Sequence, residues 1–218
     1  MKRLIPLAAA AAIVAIAGCA RKEAAKPAQT AAAAQAPAAP VAPDSFQVRF
    51  ETSRGPFTVA VTRSLSPLGA DRFYELVMTG YFTDVRFFRV VPGFVVQFGM
   101  NGDPKVNGMW ADRKIADEPV KETNAKGTIV FATSGPNTRS NQLFINLADN
   151  PRLDGMGFTP FGRVTDGMNV VESIYSGYGE SPDQDQITAS GNAYLQRMFP
   201  KLDYIKSATI VGGAAAAH

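Results

Sequence analysis

Apolar and polar residues alternate along much of the chain over residues 46–211, and this alternation predicts β-strands. Residues 46–52 alternate with a period of two, a turn follows over 53–56, and residues 57–61 return as a second strand. The sequence therefore predicts a hairpin at the start of the folded region. Four further strands are expected, at 127–132, 141–147, 160–164 and 204–211.

Residues 87–97 form another predicted pair of strands, joined by a Pro92-Gly93 turn, and they contain one charged side chain in an otherwise apolar run. That side chain is Arg89, and the neighbouring sequence offers it no acidic partner on the same strand. A cation in such surroundings costs free energy unless it is paired or faces a groove. The position suggests a charged group at the edge of an apolar pocket, although an arginine paired across the sheet would give the same pattern.

The sequence also predicts two main helices. The first begins at Ser66, which can cap it, and ends at Gly80. Its apolar face consists of Ala70, Phe73, Leu76 and Val77. Asp166 can cap a second helix, residues 192–199 form a further helix-like stretch, and the polar residues 99–126 predict a long surface loop. About eight short strands and two helices favour a mainly β fold, a sandwich or a barrel whose ends the helices could plug.

Composition limits the functional classes. The chain has 218 residues, 46% of them hydrophobic, which is enough for one domain of ordinary size. If Lys2 and Arg3 are removed with a leader, 20 of the 22 basic side chains remain against 19 acidic ones. This near balance gives nucleic-acid binding little support.

The chain contains one cysteine, Cys19, and one histidine, His218. One cysteine cannot form an intramolecular disulfide. A histidine-based zinc site and a Ser-His or Cys-His nucleophile pair are excluded as well, and we expect neither a metal nor a cofactor.

Residues 1–18 have the charged start, short apolar centre and small final residues of a secretory signal peptide. The residues before Cys19 are Ile-Ala-Gly, and with it they resemble the lipobox of bacterial lipoproteins, in which the cysteine is lipidated and becomes the first residue of the mature chain. The alternative is an ordinary signal peptide with an incidental cysteine. The absence of Asp after Cys19 favours the outer membrane, and we expect a protein anchored in the bacterial cell envelope by its lipid alone and facing the periplasm.

Three segments are predicted after the leader. Residues 19–45 begin with the lipidated cysteine and are rich in Ala and Pro, so they should form a disordered tether. Residues 46–211 form the folded domain, and residues 212–218 a disordered tail.

Three sequence blocks in the folded domain point to a family. They are FRVVPGFVVQ at 88–97, FATSGPNT at 131–138 with NQLFI at 141–145, and LDG at 153–155 with PFGRV at 160–164. In order and spacing they resemble the cyclophilins, which are peptidyl-prolyl cis–trans isomerases. The resemblance spans residues 46–211 and implies a cyclophilin-like closed eight-stranded antiparallel β-barrel with two capping helices.

The resemblance also implies roles for individual residues. Arg89 matches the catalytic arginine. The walls of a proline pocket match Phe94, Phe144 and Leu153, with Val95 where the family usually has methionine. Gln97 and Gln142 match polar groups that orient the arginine and the substrate backbone, and Ala132 matches a small residue beside the substrate. For each residue alone, an ordinary place in the core or at a strand edge is the alternative.

Besides Val95, the chain departs from the family at four positions. Phe88 replaces a histidine that is common just before the arginine, and Phe158 stands where many members have a pocket histidine. Thr133 replaces an asparagine whose backbone contacts the peptide, so the contact can survive. Arg152 stands where many eukaryotic members have a tryptophan important for cyclosporin binding, which predicts weak cyclosporin sensitivity.

The sequence thus predicts an isomerase that accelerates X-Pro isomerisation during folding of envelope or secreted proteins. Its expected partners are proline-containing polypeptides, and a monomer is expected. Two alternatives stay open: a proline-peptide-binding chaperone or scaffold with incidental catalysis, and a structural lipoprotein with a degenerate pocket. Residues 99–126 and residues 179–200, an apparent insertion between the last helix and the closing strand, have no predicted role.

Overall fold

A computed structural model describes residues 40–213 of the chain. The predicted signal peptide, Cys19, residues 20–39 of the predicted tether and residues 214–218 of the predicted tail lie outside the described residues. Among those described, no helix is long and apolar enough to span a bilayer. Within the same range, no group of three or more His, Cys, Asp or Glu side chains is arranged to hold a metal ion.

All the predicted strand regions are confirmed. The strands are β1 (Ser45–Thr52), β2 (Gly55–Thr62), β3 (Arg89–Val91), β4 (Val95–Phe98), β5 (Thr128–Phe131), β6 (Leu143–Asn146), β7 (Pro160–Asp166) and β8 (Ile205–Gly213). β1 and β2 form the predicted antiparallel hairpin, and β3 and β4 form the predicted second pair.

The eight strands form one antiparallel sheet in the order β3-β4-β6-β5-β7-β2-β1-β8, which curls into a half-barrel. The mainly β architecture is therefore confirmed. β3 and β8 are the edge strands of this order, so the strand ladder does not itself form the predicted closed barrel. The segment that precedes β3 is nevertheless hydrogen-bonded to the first residue of β8 and to the residues just before it, since Phe87 N–H donates to Asp203 O at 3.0 Å and Ile205 N–H donates to Val85 O at 2.8 Å.

The described residues contain four α-helices rather than the predicted two. They are α1 (Pro67–Met78), α2 (Pro104–Ala111), α3 (Met168–Glu172) and α4 (Gln184–Met198), and the segments Arg63–Leu65 and Pro151–Met156 are short 3₁₀ turns. α4 is interrupted at Gly191, whose φ is 53°.

The long loop predicted for residues 99–126 is wrong because α2 lies within it. The start of α2 is fixed by Asp103, whose carboxylate accepts a hydrogen bond from Lys105 N–H at 2.8 Å, and by Pro104 in the first turn. Trp110, on this helix, is only 7% exposed. The helix escaped prediction because it is short and polar, so burial of its tryptophan rather than an apolar stripe ties it to the domain.

The predicted helix starts need correction. Ser66 is the N-cap of α1, yet its hydroxyl donates to Glu118, and Glu118 itself accepts from Leu68 N–H at 2.8 Å. The cap is thus supplied by a carboxylate remote in sequence. Asp166 ends β7 and does not cap α3; Gly167 is the N-cap, at φ 77°, where a Cβ would lie 2.5 Å from Pro56 O.

One aromatic-rich core lies inside the curled sheet. The predicted apolar face of α1 is buried in it. Phe50 and Phe57 of the first hairpin stack at 4.8 Å, and Phe73 of α1 lies 5.2 Å from the ring of Phe161 on β7. Fully buried aromatic rings contribute large apolar areas, so this core fixes α1 against the hairpin and β7.

β4, β5 and β6 are buried on both faces. Val96, Ile129 and Ile145 point into the main core, whereas Val95, Val130 and Phe144 belong to a separate apolar cluster on the opposite face. Successive side chains of a strand point to opposite faces, so a continuous apolar run such as 143–145 serves two surfaces at once. The second surface is the floor of the candidate site.

Candidate active site

A row of side chains crosses four neighbouring strands. Arg89 on β3 is paired with Gln97 on β4, Gln97 with Phe144 on β6, and Phe144 with Val130 on β5. Residues directly opposite each other in an antiparallel pair place their side chains on the same face. The strand register therefore brings a cation, an amide and an aromatic ring to one surface.

Polar side chains orient the guanidinium of Arg89. Its Nη1 donates to Gln97 Oε1 at 3.2 Å, and Gln97 Nε2 donates in turn to Gln142 Oε1 at 2.9 Å. On the other side, Nε donates to Glu180 Oε1 at 2.7 Å. The side chain of Arg89 is 26% exposed, so the cation is partly desolvated and still open to the cavity.

The tight turn between β3 and β4 positions Phe94. Phe94 N–H donates to Val91 O at 3.0 Å, and Gly93 has φ 72°, so Pro92 and Gly93 occupy the positions that each favours in a type II turn. The ring of Phe94 has the Cζ atom of Arg89 5.7 Å from its centroid and that of Arg152 4.9 Å from it. The turn thus holds an aromatic wall between two cations.

Asn150 connects that wall to the opposite one. Its Nδ2 lies within hydrogen-bond distance of Phe94 O at 3.1 Å and of Asn146 Oδ1 at 2.8 Å, while its carbonyl accepts from Leu153 N–H at 2.9 Å. Leu153, only 5% exposed, packs with the buried apolar cluster on this face of the sheet. Asn150 therefore ties the Phe94 backbone, through its side chain, to the 3₁₀ turn that carries Leu153, through its own backbone carbonyl.

Asp154 fixes the loop that carries Phe158. Its carboxylate accepts from Thr123 Oγ1 at 2.6 Å and from the backbone and side chain of Asn124 at 2.8 and 2.7 Å. Burial raises the pKa of Asp154, but these hydrogen bonds outweigh it, so the pKa lies below its ordinary value. Asn124 Nδ2 also donates to Phe158 O at 2.9 Å, and the Phe158 ring meets Phe144 edge-on at 5.5 Å.

These walls enclose an open cavity of about 590 Å³. Every predicted site residue of the folded domain lies in its lining: Arg89, Phe94, Val95, Gln97, Ala132, Thr133, Gln142, Phe144, Leu153 and Phe158. Thr133 lies at one end, where its hydroxyl contacts Gly135 O at 2.5 Å and Thr138 Oγ1 at 2.8 Å. Cys19, the remaining predicted site, is outside the described residues.

The described lining of the cavity carries basic but no acidic side chains. Lys114 and Arg152 lie there in addition to Arg89. Glu180 reaches Arg89 from outside the cavity wall, with a side chain that is 62% exposed. The site can hold an apolar ring against Phe144 and Leu153 while a fixed cation donates hydrogen bonds toward it.

Sequence reasoning missed three contributors to the site. Glu180 lies 91 positions from Arg89 in an unremarkable turn, so no local pattern indicates the pair. Asn150 looks like a loop residue. Asp154 lies inside the LDG block, and that position is the one sequence signal that could have identified it.

Comparison with known proteins agrees with this arrangement. Residues 47–192 match the family model described as cyclophilin type peptidyl-prolyl cis-trans isomerase/CLD. The chain belongs to the cyclophilin family and is a peptidyl-prolyl cis–trans isomerase.

Two similar proteins come from a plant and a fungus. The chain is 40% identical over 144 residues to peptidyl-prolyl cis-trans isomerase CYP18-2 of Arabidopsis thaliana. The matched region covers 63% of this chain and 85% of that protein. The chain is 40% identical over 134 residues to peptidyl-prolyl cis-trans isomerase-like 1 of Aspergillus oryzae, covering 58% of this chain and 80% of that protein.

Solved structures share the fold. A cyclophilin type peptidyl-prolyl cis-trans isomerase of Cryptosporidium parvum superposes with a TM-score of 0.59 at 24% identity, covering 78% of this chain and 99% of that one. The cyclophilin AquaCyp293 of Hirschia baltica gives a TM-score of 0.57 at 19% identity, covering 81% and 77% of the two chains.

Proposed function

We propose that Arg89 is the catalytic group of this isomerase and that the apolar cavity beside it binds the prolyl ring of a polypeptide substrate. The observation that carries the proposal is the row of Arg89, Gln97 and Phe144 across β3, β4 and β6. It sets a partly desolvated cation beside an apolar floor. The structure of the Cryptosporidium parvum isomerase in the presence of the dipeptide Ala-Pro, a relative by fold, is consistent with this substrate class.

The chemistry needs little from the protein. Rotation about a peptide bond has a barrier of roughly 18–20 kcal/mol because the nitrogen shares its lone pair with the carbonyl group. In the twisted state the nitrogen becomes pyramidal and can accept a hydrogen bond. A guanidinium aimed at this nitrogen binds the twisted state better than either planar isomer, and such differential binding is what lowers a barrier.

Each part of the site has a role in this mechanism. Phe94, Phe144 and Leu153 hold the prolyl ring still while the preceding residue rotates. Gln97 holds the guanidinium plane through Nη1, and Gln142 completes the polar edge on which the substrate backbone lies. Because no bond is made or broken, none of these steps calls for a nucleophile or a proton transfer.

We propose further that the sheet closes into the barrel of the family where residues 84–87 meet residues 203–205. The hydrogen bonds from Phe87 N–H to Asp203 O and from Ile205 N–H to Val85 O support this. Closure at this point would fix the segment that leads directly into β3 and Arg89.

For the cellular role we propose a lipid-anchored monomer that assists folding of envelope or secreted proteins in a bacterium, facing the periplasm from the outer membrane. The support is the sequence of residues 1–45, with Cys19 as the lipidated residue. Expression of the full chain and of Cys19→Ala in a bacterium, with labelled palmitate, tests it. Label and membrane association are expected for the natural sequence and should be lost in the variant; equal fractionation of the two chains would contradict the anchor.

The catalytic proposal is tested on an Ala-Pro peptide with a protease-coupled isomerisation assay and a parallel binding measurement. Turnover by the natural sequence and its loss in Arg89→Ala are expected. Peptide binding without turnover would favour the scaffold function. The absence of both peptide binding and turnover would favour a structural lipoprotein.

A further inference from the structure

The segment 175–202, between α3 and β8, packs against the strand pair that carries Arg89, and we call this segment the insert. A second hydrophobic cluster joins them: Phe88, Met100, Ile187, Leu195 and Leu202 are buried together, with Tyr178, Tyr194 and Phe199 packed around them. Phe88 is 1% exposed and directly precedes Arg89. The insert therefore has an apolar core of its own that includes a residue adjacent to the catalytic candidate.

Polar contacts fix the insert at a second point. Asn192 N–H donates to Gly102 O at 2.9 Å, and Asn192 Nδ2 donates to Asp84 O at 2.9 Å. Gly191 approaches so closely that a Cβ there would lie 2.0 Å from Gly102 O. A segment held by both packing and hydrogen bonds cannot drift far from β3.

The turn at the start of the insert delivers a carboxylate to Arg89. Val90 N–H, on β3, donates to Gly179 O at 3.1 Å, which places the next residue, Glu180, beside the guanidinium. Glu180 Oε1 accepts from Arg89 Nε at 2.7 Å and lies 2.5 Å from Nη2. Within residues 40–213, both polar contacts of the Glu180 carboxylate are with Arg89.

The contacts with Glu180 and Gln97 determine which N–H donors of Arg89 remain for a substrate. A guanidinium has five N–H donors in a rigid plane. Glu180 occupies the edge formed by Nε and Nη2, and Gln97 occupies one N–H of Nη1. One N–H of Nη1 and one of Nη2 are left without a contact among the described residues. A cation held from two sides retains donors for the substrate and loses its freedom to rotate.

We propose that Glu180 is a positioning residue for the isomerisation: the insert uses its carboxylate to orient the Arg89 guanidinium toward the cavity. This inference rests on the proposed catalytic role of Arg89. Misorientation of a catalytic group lowers rate even when the group is present. Because Glu180 is mostly exposed, water screens the pair and its contribution is small beside that of Arg89 itself.

The test is a double-mutant cycle in the isomerisation assay, with Glu180→Ala, Arg89→Ala and the double variant. Glu180→Ala is expected to lower kcat by about 3- to 5-fold, the size of an exposed ion-pair coupling, with little change in KM. The loss should shrink at high salt, since salt screens the pair. In the Arg89→Ala background, Glu180→Ala is expected to have no further effect.

Isosteric variants give the matched control. Glu180→Gln keeps an acceptor oxygen and should lose less activity than Glu180→Ala. Asp185→Asn removes an equal charge from the same insert, at an exposed position without a contact to Arg89 in the described structure, and should leave kcat unchanged. Equal stability of all variants by thermal unfolding shows that the insert stays folded.

Three results would overturn the inference. They are an unchanged kcat in Glu180→Ala, an equal loss in the presence and absence of Arg89, and a gain in activity, which would mean that Glu180 competes with the substrate for the cation. Failure of the catalytic proposal gives a different result, namely full activity in Arg89→Ala alone.

Discussion

Replacing Arg89 by alanine removes the one cation that crosses from β3 to the cavity. It leaves Gln97 paired with Gln142, because that hydrogen bond does not depend on the guanidinium. It also leaves the apolar walls in place, since Phe94 is fixed by its own turn and by Asn150. The variant should therefore fold normally and still bind a proline peptide in the cavity.

The magnitude follows from the surroundings of the guanidinium. Removal of one electrostatic donor from an enzyme site typically costs about 10²–10³ in kcat. Arg89 is 26% exposed and already shares its charge with Glu180, so we expect the low end of that range. A loss of about 100-fold corresponds to about 2.7 kcal/mol of transition-state stabilisation. KM should change little, because the bond to the prolyl nitrogen strengthens only in the twisted state.

Arg89→Lys separates charge from geometry. Lysine keeps a positive charge but is a compact point charge without a planar fork, so it cannot contact Glu180, Gln97 and the substrate together as the guanidinium does. We expect most of the activity to be lost in this variant too. Both variants are assayed with an Ala-Pro peptide against the uncatalysed rate, with thermal unfolding as the control for folding. Unchanged kcat in Arg89→Ala would refute the mechanism, and full activity in Arg89→Lys would refute the requirement for a planar donor.

Three other predictions concern the pocket, acid stability and inhibition. Leu153→Ala should raise KM several-fold and lower the free energy of unfolding by about 2 kcal/mol, which is the low end for a buried leucine because the cavity is open. An unchanged KM in the peptide assay and an unchanged free energy in urea unfolding would contradict the role of Leu153 as a wall of the proline pocket. Burial raises the pKa of Asp203, but hydrogen bonds from Arg54 Nε at 2.7 Å and Ser53 Oγ at 2.6 Å outweigh it and hold the pKa below its ordinary value. Its contribution is therefore present above about pH 4 and lost as pH falls through the lowered pKa. Asp203→Asn should lower Tm at neutral pH, and the difference in Tm between the variant and the natural sequence should become smaller in acid. A difference in Tm that does not depend on pH would refute the stabilising role of the Asp203 carboxylate. Cyclosporin should bind weakly because Arg152 replaces the tryptophan of many eukaryotic members, and nanomolar binding in a titration would show this to be wrong.

Much of the fold was predictable because its signals are local. The period of two in residues 46–52 and 57–61 determines a hairpin whichever residues surround it, and the Pro92-Gly93 pair determines a turn through the backbone angles those residues favour. The helices were predicted less well. α2 lacks an apolar stripe, and the cap of α1 comes from Glu118, far away in the sequence.

The cavity lining was predictable for a different reason. Most of its predicted residues lie in three blocks whose order and spacing resemble a family, so the sequence could assign Phe94, Phe144 and Leu153 to one pocket before any distance was known. Chemistry alone would not have distinguished them from core residues. In the structure, both faces of β4, β5 and β6 are buried, and hydrophobicity does not tell one face from the other.

By itself the sequence determined the strands, the turns, the family and the identity of the one cation in an apolar run. Tertiary structure decided what that cation contacts. Arg89 meets Gln97 through strand register, and it meets Glu180 because an insert with its own apolar core returns to β3. Contacts of this kind depend on where two distant segments are placed by packing, and neither segment contains a local pattern that encodes the distance between them.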